Sequence, residues 1–109
     1  MYLNILITKP LDNSFTYICE EKTNIKEGDV VLVPFGKKNE EIGIVYEILK
    51  SRPKNLNNVK LRKINYIYKN LRLGKNIIDF IEWISNYTLA PKGMVLKLFL
   101  VNKKIIKIN

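Results

Sequence analysis

From Met1 to Leu73 the apolar residues of this chain come in short, β-branched runs, and a proline, a glycine or a polar cluster stops each one. Runs of that length between turn residues build strands, not helices. The first covers residues 2–8 and is broken by 9–13, which contain Pro10. Residues 15–19 form a second. The turn Glu27-Gly28-Asp29 opens a third at 30–33, and Pro34 ends it because proline has no N–H for the ladder. After a polar loop at 35–39 comes a fourth run, 42–49. Gly43 near its start is a place for a bulge or a close backbone approach. A polar connection at 50–58, with Pro53, leads to a fifth run at 59–68.

A helical period appears only afterwards. Ile77, Phe80, Ile81, Ile84 and Tyr87 or Thr88 recur at the spacing of one helix face. Asn76 followed by Asp79 resembles a capping box, and the helix should stop before Pro91. Residues 94–101 then read as a last strand, and 103–109 as a terminal extension or the start of a linker. The expected fold is therefore mainly β (β+α). It is a small curled antiparallel sheet, or a partly closed OB-like β-barrel, with one α-helix in the C-terminal half.

The 109 residues suit one domain with one modest core. Cys19 is the single cysteine, so an internal disulfide is impossible. That fits a reducing cytoplasm, where the chain is expected to reside. With no histidine, the usual zinc site is excluded, and neither a Ser-His nor a Cys-His pair can be built. No glycine-rich phosphate loop with a following Lys-Ser/Thr occurs. No apolar run approaches the ~18 residues that span a bilayer. These exclusions predict a binding module rather than an enzyme, with no cofactor, no metal and no membrane contact; the chain is separately expected to be a monomer.

The net charge of +9 is unevenly spread. Residues 1–49 hold five Lys against eight acidic residues, and residues 50–109 hold fourteen Lys or Arg against two. A basic half on a small domain suggests phosphate contacts. A chain so rich in Ile, Asn and Lys also looks like the product of an AT-rich genome, which accounts for part of the lysine but not for its division by halves.

The stretch 28–36, Gly-Asp-Val-Val-Leu-Val-Pro-Phe-Gly, carries the most information. A turn sends a strand toward Pro34, and Gly36 leaves backbone bare where a flat ligand could approach. Phe15-Thr16-Tyr17 precedes it, and Gly43-Ile44-Val45 and Leu61-Arg62-Lys63-Ile64 follow. Phe80, Trp83 and Tyr87 lie on the helix, and Pro91, Gly93, Val95 and Leu96 come after it. In this order and spacing the chain resembles the amino-terminal 3′ DNA-binding domain of primosomal protein N′ (PriA), the bacterial replication-restart helicase. The resemblance runs from about Ile5 to about Leu100.

The resemblance implies that residues 1–102 form a 3′ DNA-binding domain. Such a domain holds the 3′ end of a nascent leading strand at a stalled fork, whatever its base, with helicase domains in cis. It implies an end-binding set of Phe15, Thr16, Tyr17, Gly36 and Arg62, with Lys37, Lys60 and Lys63 as candidate phosphate contacts. The family usually has Asp at the position of Thr16, Lys at that of Arg62 and Tyr at that of Thr88. A threonine hydroxyl is shorter, neutral, and both donor and acceptor, so recognition of the 3′ hydroxyl should be altered. Arginine keeps the charge and adds planar donors.

The same residues have structural readings. One of Phe15 and Tyr17 should face the core, Phe35 could equally plug it, and Trp83 and Tyr87 are expected to pack the helix. Apart from the family, a terminal nucleotide offers a π-face, a hydroxyl and a phosphate, which an aromatic residue and cations can meet. An RNA-binding small β-barrel of the translation apparatus is the alternative.

Overall fold

The computed structural model describes residues 1–20 and 23–102. Five strands form one antiparallel sheet: β1 (Tyr2–Ile7), β2 (Phe15–Ile18), β3 (Asp29–Phe35), β4 (Asn39–Leu49) and β5 (Tyr66–Arg72). Their order is β2-β1-β4-β3-β5. Two helices follow, α1 (Lys75–Thr88) and α2 (Lys92–Asn102). The mainly β expectation holds, with a second helix where one was expected. The expected extension at 103–109 lies outside the described residues.

The sheet has a core on each face, which is why its central strands read as continuous apolar runs. Leu3, Ile5 and Ile7 of β1 join Val31, Val33, Val45 and Tyr17 on the inside of the curl. The alternate residues Leu6, Val30 and Ile44 meet Ile81 of α1 and Val95, Leu96 and Leu100 of α2 on the other face. A two-residue period with both faces covered leaves few polar positions along a strand.

Two features curl the sheet. Asn4 pairs with Glu47 but Ile5 with Val45, so Tyr46 is an extra residue in β4 and the pair bends there. At Gly43, β4 presses on β1: a Cβ would lie 2.6 Å from the Leu6 carbonyl oxygen. Of the two roles open to Gly43, the structure assigns it the close approach. The bulge falls three residues later. The curl brings β2 against the segment before β5. Ile18 N–H donates to the Arg62 carbonyl at 2.9 Å, and Ile64 N–H donates to the Ile18 carbonyl at 3.2 Å. This single parallel bridge joins the two edges without closing a barrel.

The expected fifth strand at 59–68 is displaced to Tyr66–Arg72. Residues 59–64 instead cross the gap between β2 and β5, tethered by the bridge at Ile18. Arg52 holds the preceding loop, its guanidinium donating to the Leu56 carbonyl at 2.8 and 3.0 Å and to that of Val59.

Gly74, not Asn76, caps α1, and no side chain caps it, so the expected Asn76–Asp79 box does not form. The helix buries Ile81 and Ser85, with Ile77, Ile78 and Ile84 packed alongside. Residues 80, 83 and 87 then fall on the outer face. Trp83 is 59% exposed and Tyr87 77%, contrary to the expectation that they pack the helix. Their rings stack along the surface, Phe80–Trp83 at 6.0 Å and Trp83–Tyr87 at 5.3 Å between centroids.

The strand expected at 94–101 is helix α2 instead. An apolar run cannot distinguish a buried strand from a buried helix by period alone. Here Val95, Leu96 and Leu100 are buried while Met94, Lys97 and Leu98 are exposed, which is a helical spacing. The N-terminus of α2 docks on the loop after β1. Lys92 N–H donates to Asp12 Oδ1 at 3.0 Å, and Gly93 N–H to the Leu11 carbonyl at 3.0 Å. A Cβ on Gly93 would overlap the Lys9 and Ile7 carbonyls.

Candidate nucleic-acid interface

A cavity of about 330 Å³ opens between β2, the β3–β4 turn and the segment crossing toward β5. Phe15, Thr16 and Tyr17 form one wall, and Phe35 and Gly36 the next. Leu56 and residues 59–62 form the third. All five residues of the expected end-binding set line this one cavity, and so does Lys60.

Phe15 and Tyr17 are two apart on a strand and therefore share a face, the inner one. Tyr17 is the buried member, 4% exposed. Its phenol donates to the Pro34 carbonyl at 2.7 Å, which fixes the ring as the back wall and pins the end of β3. Burial pushes the Tyr17 hydroxyl above its ordinary pKa, and the Arg62 guanidinium partly opposes this. Phe15 is half-buried nearer the mouth, edge-on to Phe35 at 5.4 Å and 72°. Phe35 packs on the core and lines the cavity, so both readings of it are satisfied.

Thr16 takes the opposite side of the pleat. Its hydroxyl donates to Asn4 Oδ1 at 2.8 Å, and the Asn4 amide donates to Glu47 Oε1 at 3.0 Å. Thr16 thus borders the cavity with its hydroxyl engaged in a row across β2, β1 and β4.

Gly36 has φ +79°, a left-handed conformation that suits glycine, and nothing lies within 4 Å of where a Cβ would be. The turn therefore offers bare backbone. Arg62 donates from one guanidinium nitrogen to the Gly36 carbonyl at 2.7 Å and so ties the turn to the opposite wall. Arg62 and Lys60 are both exposed. Lys37 is exposed beside Gly36 but does not line the cavity. Lys63 lines a neighbouring cavity of about 340 Å³, with Ile18 and Tyr66, on the far side of the crossing segment. The structure thus gathers Lys60 with the five and leaves Lys37 and Lys63 outside.

Leu56, Val59 and Leu61 were not anticipated as walls. Their signal was modest: Leu56 is an isolated apolar residue in a polar, asparagine-rich connection, and what it packs against depends on how that connection folds back. No group of His, Cys, Asp or Glu among the described residues could hold a metal ion. No described helix is long and apolar enough to cross a membrane.

The family model of the PriA 3′ DNA-binding domain (3′BD) matches residues 4–101. The replication restart protein PriA of Rickettsia conorii is 31% identical over 104 residues, covering 92% of this chain. That of Rickettsia typhi is 32% identical over 105 residues, again covering 92%. The chain spans 15% of the length of each.

Proposed function

From the premise that this chain belongs to the 3′ DNA-binding domain family of PriA, we propose that it captures the 3′ end of a DNA strand in the cavity between β2 and residues 59–62. The strand it serves is the nascent leading strand of a stalled fork, held for replication restart. The domain works without catalytic chemistry of its own, as a monomer in the cytoplasm. Helicase domains in the same polypeptide, in the part of the relatives that this chain does not span, supply the motor.

The observation that supports this reading is the shared cavity itself. Phe15 offers a ring at the mouth, and stacking on a base contributes ~1–3 kcal/mol whatever the base. Gly36 lets the terminal sugar approach the backbone. Arg62 and Lys60 face the phosphates, giving a salt-dependent share of the affinity. Tyr17 and Phe35 back the cavity with core side chains, a floor on which a terminal base would seat better than a passing strand. A terminus is therefore preferred to an internal segment.

Linear and circular single strands of the same sequence test this. The linear strand should bind at least about tenfold more tightly, from stacking and end accommodation together. Equal affinity for the circle would overturn end capture.

A further inference from the structure

Among the described residues, the walls of the end cavity contain two cationic side chains, Lys60 and Arg62, and no carboxylate. Of the described acids near its walls, Glu20 is exposed and lines the neighbouring cavity, and the others are engaged elsewhere. Glu40 accepts from the Asn65 amide at 2.6 Å, and Glu41 pairs with Lys9 at 3.1 Å. Glu47 accepts from Asn4 on the other face of the sheet. Asp12 accepts from the start of α2. The other walls are uncharged: Thr16 borders the cavity with its hydroxyl turned to Asn4, the Tyr17 hydroxyl is held by the Pro34 carbonyl, and Gly36 offers bare backbone.

We propose that this pocket accepts strands ending in a 3′-phosphate as readily as strands ending in a 3′-hydroxyl, with Arg62 and Lys60 meeting the added charge. The proposal rests on the 3′-end reading above. A terminal phosphate carries about −1.5 to −2 charges at neutral pH and three acceptor oxygens. A carboxylate in the wall would repel it, whereas a guanidinium and an ammonium attract it. Arg62 has five N–H donors, of which the bond to Gly36 uses one, so it can hold the turn and still donate to a phosphate. The Gly36 position adds no side chain to obstruct the larger terminus.

The test is competition for binding to the 109-residue chain among four unlabelled strands of one sequence. They are a 3′-hydroxyl end, a 3′-phosphate end, a 5′-phosphate with a 3′-hydroxyl, and a circle. The 3′-phosphate should compete at least as well as the 3′-hydroxyl. Its advantage should grow from about pH 5 to pH 7 as its second proton, with pKa near 6, is lost. Lys60→Gln and Arg62→Gln should each weaken the 3′-phosphate strand by about tenfold and the hydroxyl strand less. Lys60 makes no described hydrogen bond within the fold, so its variant keeps the test valid if Arg62→Gln loosens the turn.

A 3′-phosphate strand that competes tenfold worse, while the 3′-hydroxyl strand still exceeds the circle, would overturn the inference and leave end capture standing. An equal gain from a 5′-phosphate would also overturn it. A circle as good as the linear strands would remove end capture, and this inference with it.

Discussion

Tyr17 serves the fold and the candidate pocket through different parts of one side chain. Its ring belongs to the inner core, and its hydroxyl donates to the Pro34 carbonyl where β3 gives way to the Gly36 turn. Tyr17→Phe should cost about 1 kcal/mol at neutral pH, because it leaves that carbonyl without its donor. The pH dependence has a definite sign. Burial raises the folded-state pKa of this phenol above its unfolded value near 10, so the neutral form is favoured by folding. Its contribution is complete below about pH 10 and is lost as the pH rises through the folded value. The stability gap between the parent and Tyr17→Phe should therefore shrink above about pH 10 in denaturant titrations. A gap that does not change with pH would mean that Tyr17 ionises as freely folded as unfolded. The sequence reading expected one of Phe15 and Tyr17 to face the core, but residues two apart on a strand share a face, and both pack on the inner core. Which ring lies deeper depends on Val31, Val33 and Phe35 from another strand, and no local pattern carries that.

Helix α2 shows how an element can be decided by its neighbours. Its apolar residues were plain in the sequence, and their period was not, because an apolar run with one lysine fits a strand or a helix. The loop after β1 settles the matter by supplying acceptors for the first N–H groups of the helix, at Asp12 and Leu11. Asp12→Ala should cost about 0.5–2 kcal/mol, as loss of an N-terminal cap does. Gly93→Val should cost more, by more than about 3 kcal/mol, because its side chain would enter the carbonyls of Lys9 and Ile7. Urea unfolding of the two variants checks both. A Gly93→Val chain as stable as the parent would mean that the loop and α2 do not dock as described. Helix α1 was legible in its existence but not in its outward face. Five apolar positions at helical spacing suggested the stripe, yet it is Ile77, Ile78, Ile81 and Ile84 that pack, and Phe80, Trp83 and Tyr87 that line the surface.

At the scale of the whole molecule, charge and curvature act together. The basic half of the sequence includes residues 59–63, the segment that curls back to β2 and carries Lys60 and Arg62 to the rim of the cavity. Binding of a single strand should weaken with salt, by about 0.7 in log–log slope for each phosphate contact. Arg62→Ala should lower that slope by about 0.7, measured by anisotropy across a salt series. An unchanged slope would take Arg62 off the list of contacts. The sequence by itself determined the strand-rich plan, the late helix and the charge division, and it nominated five residues that the structure places around one cavity. These follow from periods of two and 3.6, from the turn residues between runs, and from a family resemblance spread along the chain; Pro34, expected to end β3, instead stays within it opposite Glu40. Only the tertiary structure decided that α2 is a helix, that Trp83 and Tyr87 face outward, and that Thr16 turns its hydroxyl to Asn4. It alone decided that Lys60 joins the cavity while Lys63 lies beyond the crossing segment. Each of those depends on contacts between residues apart in the chain: the loop after β1 for α2, the cross-strand pair Asn4–Thr16, and for the cavity the crossing segment bridged to Ile18.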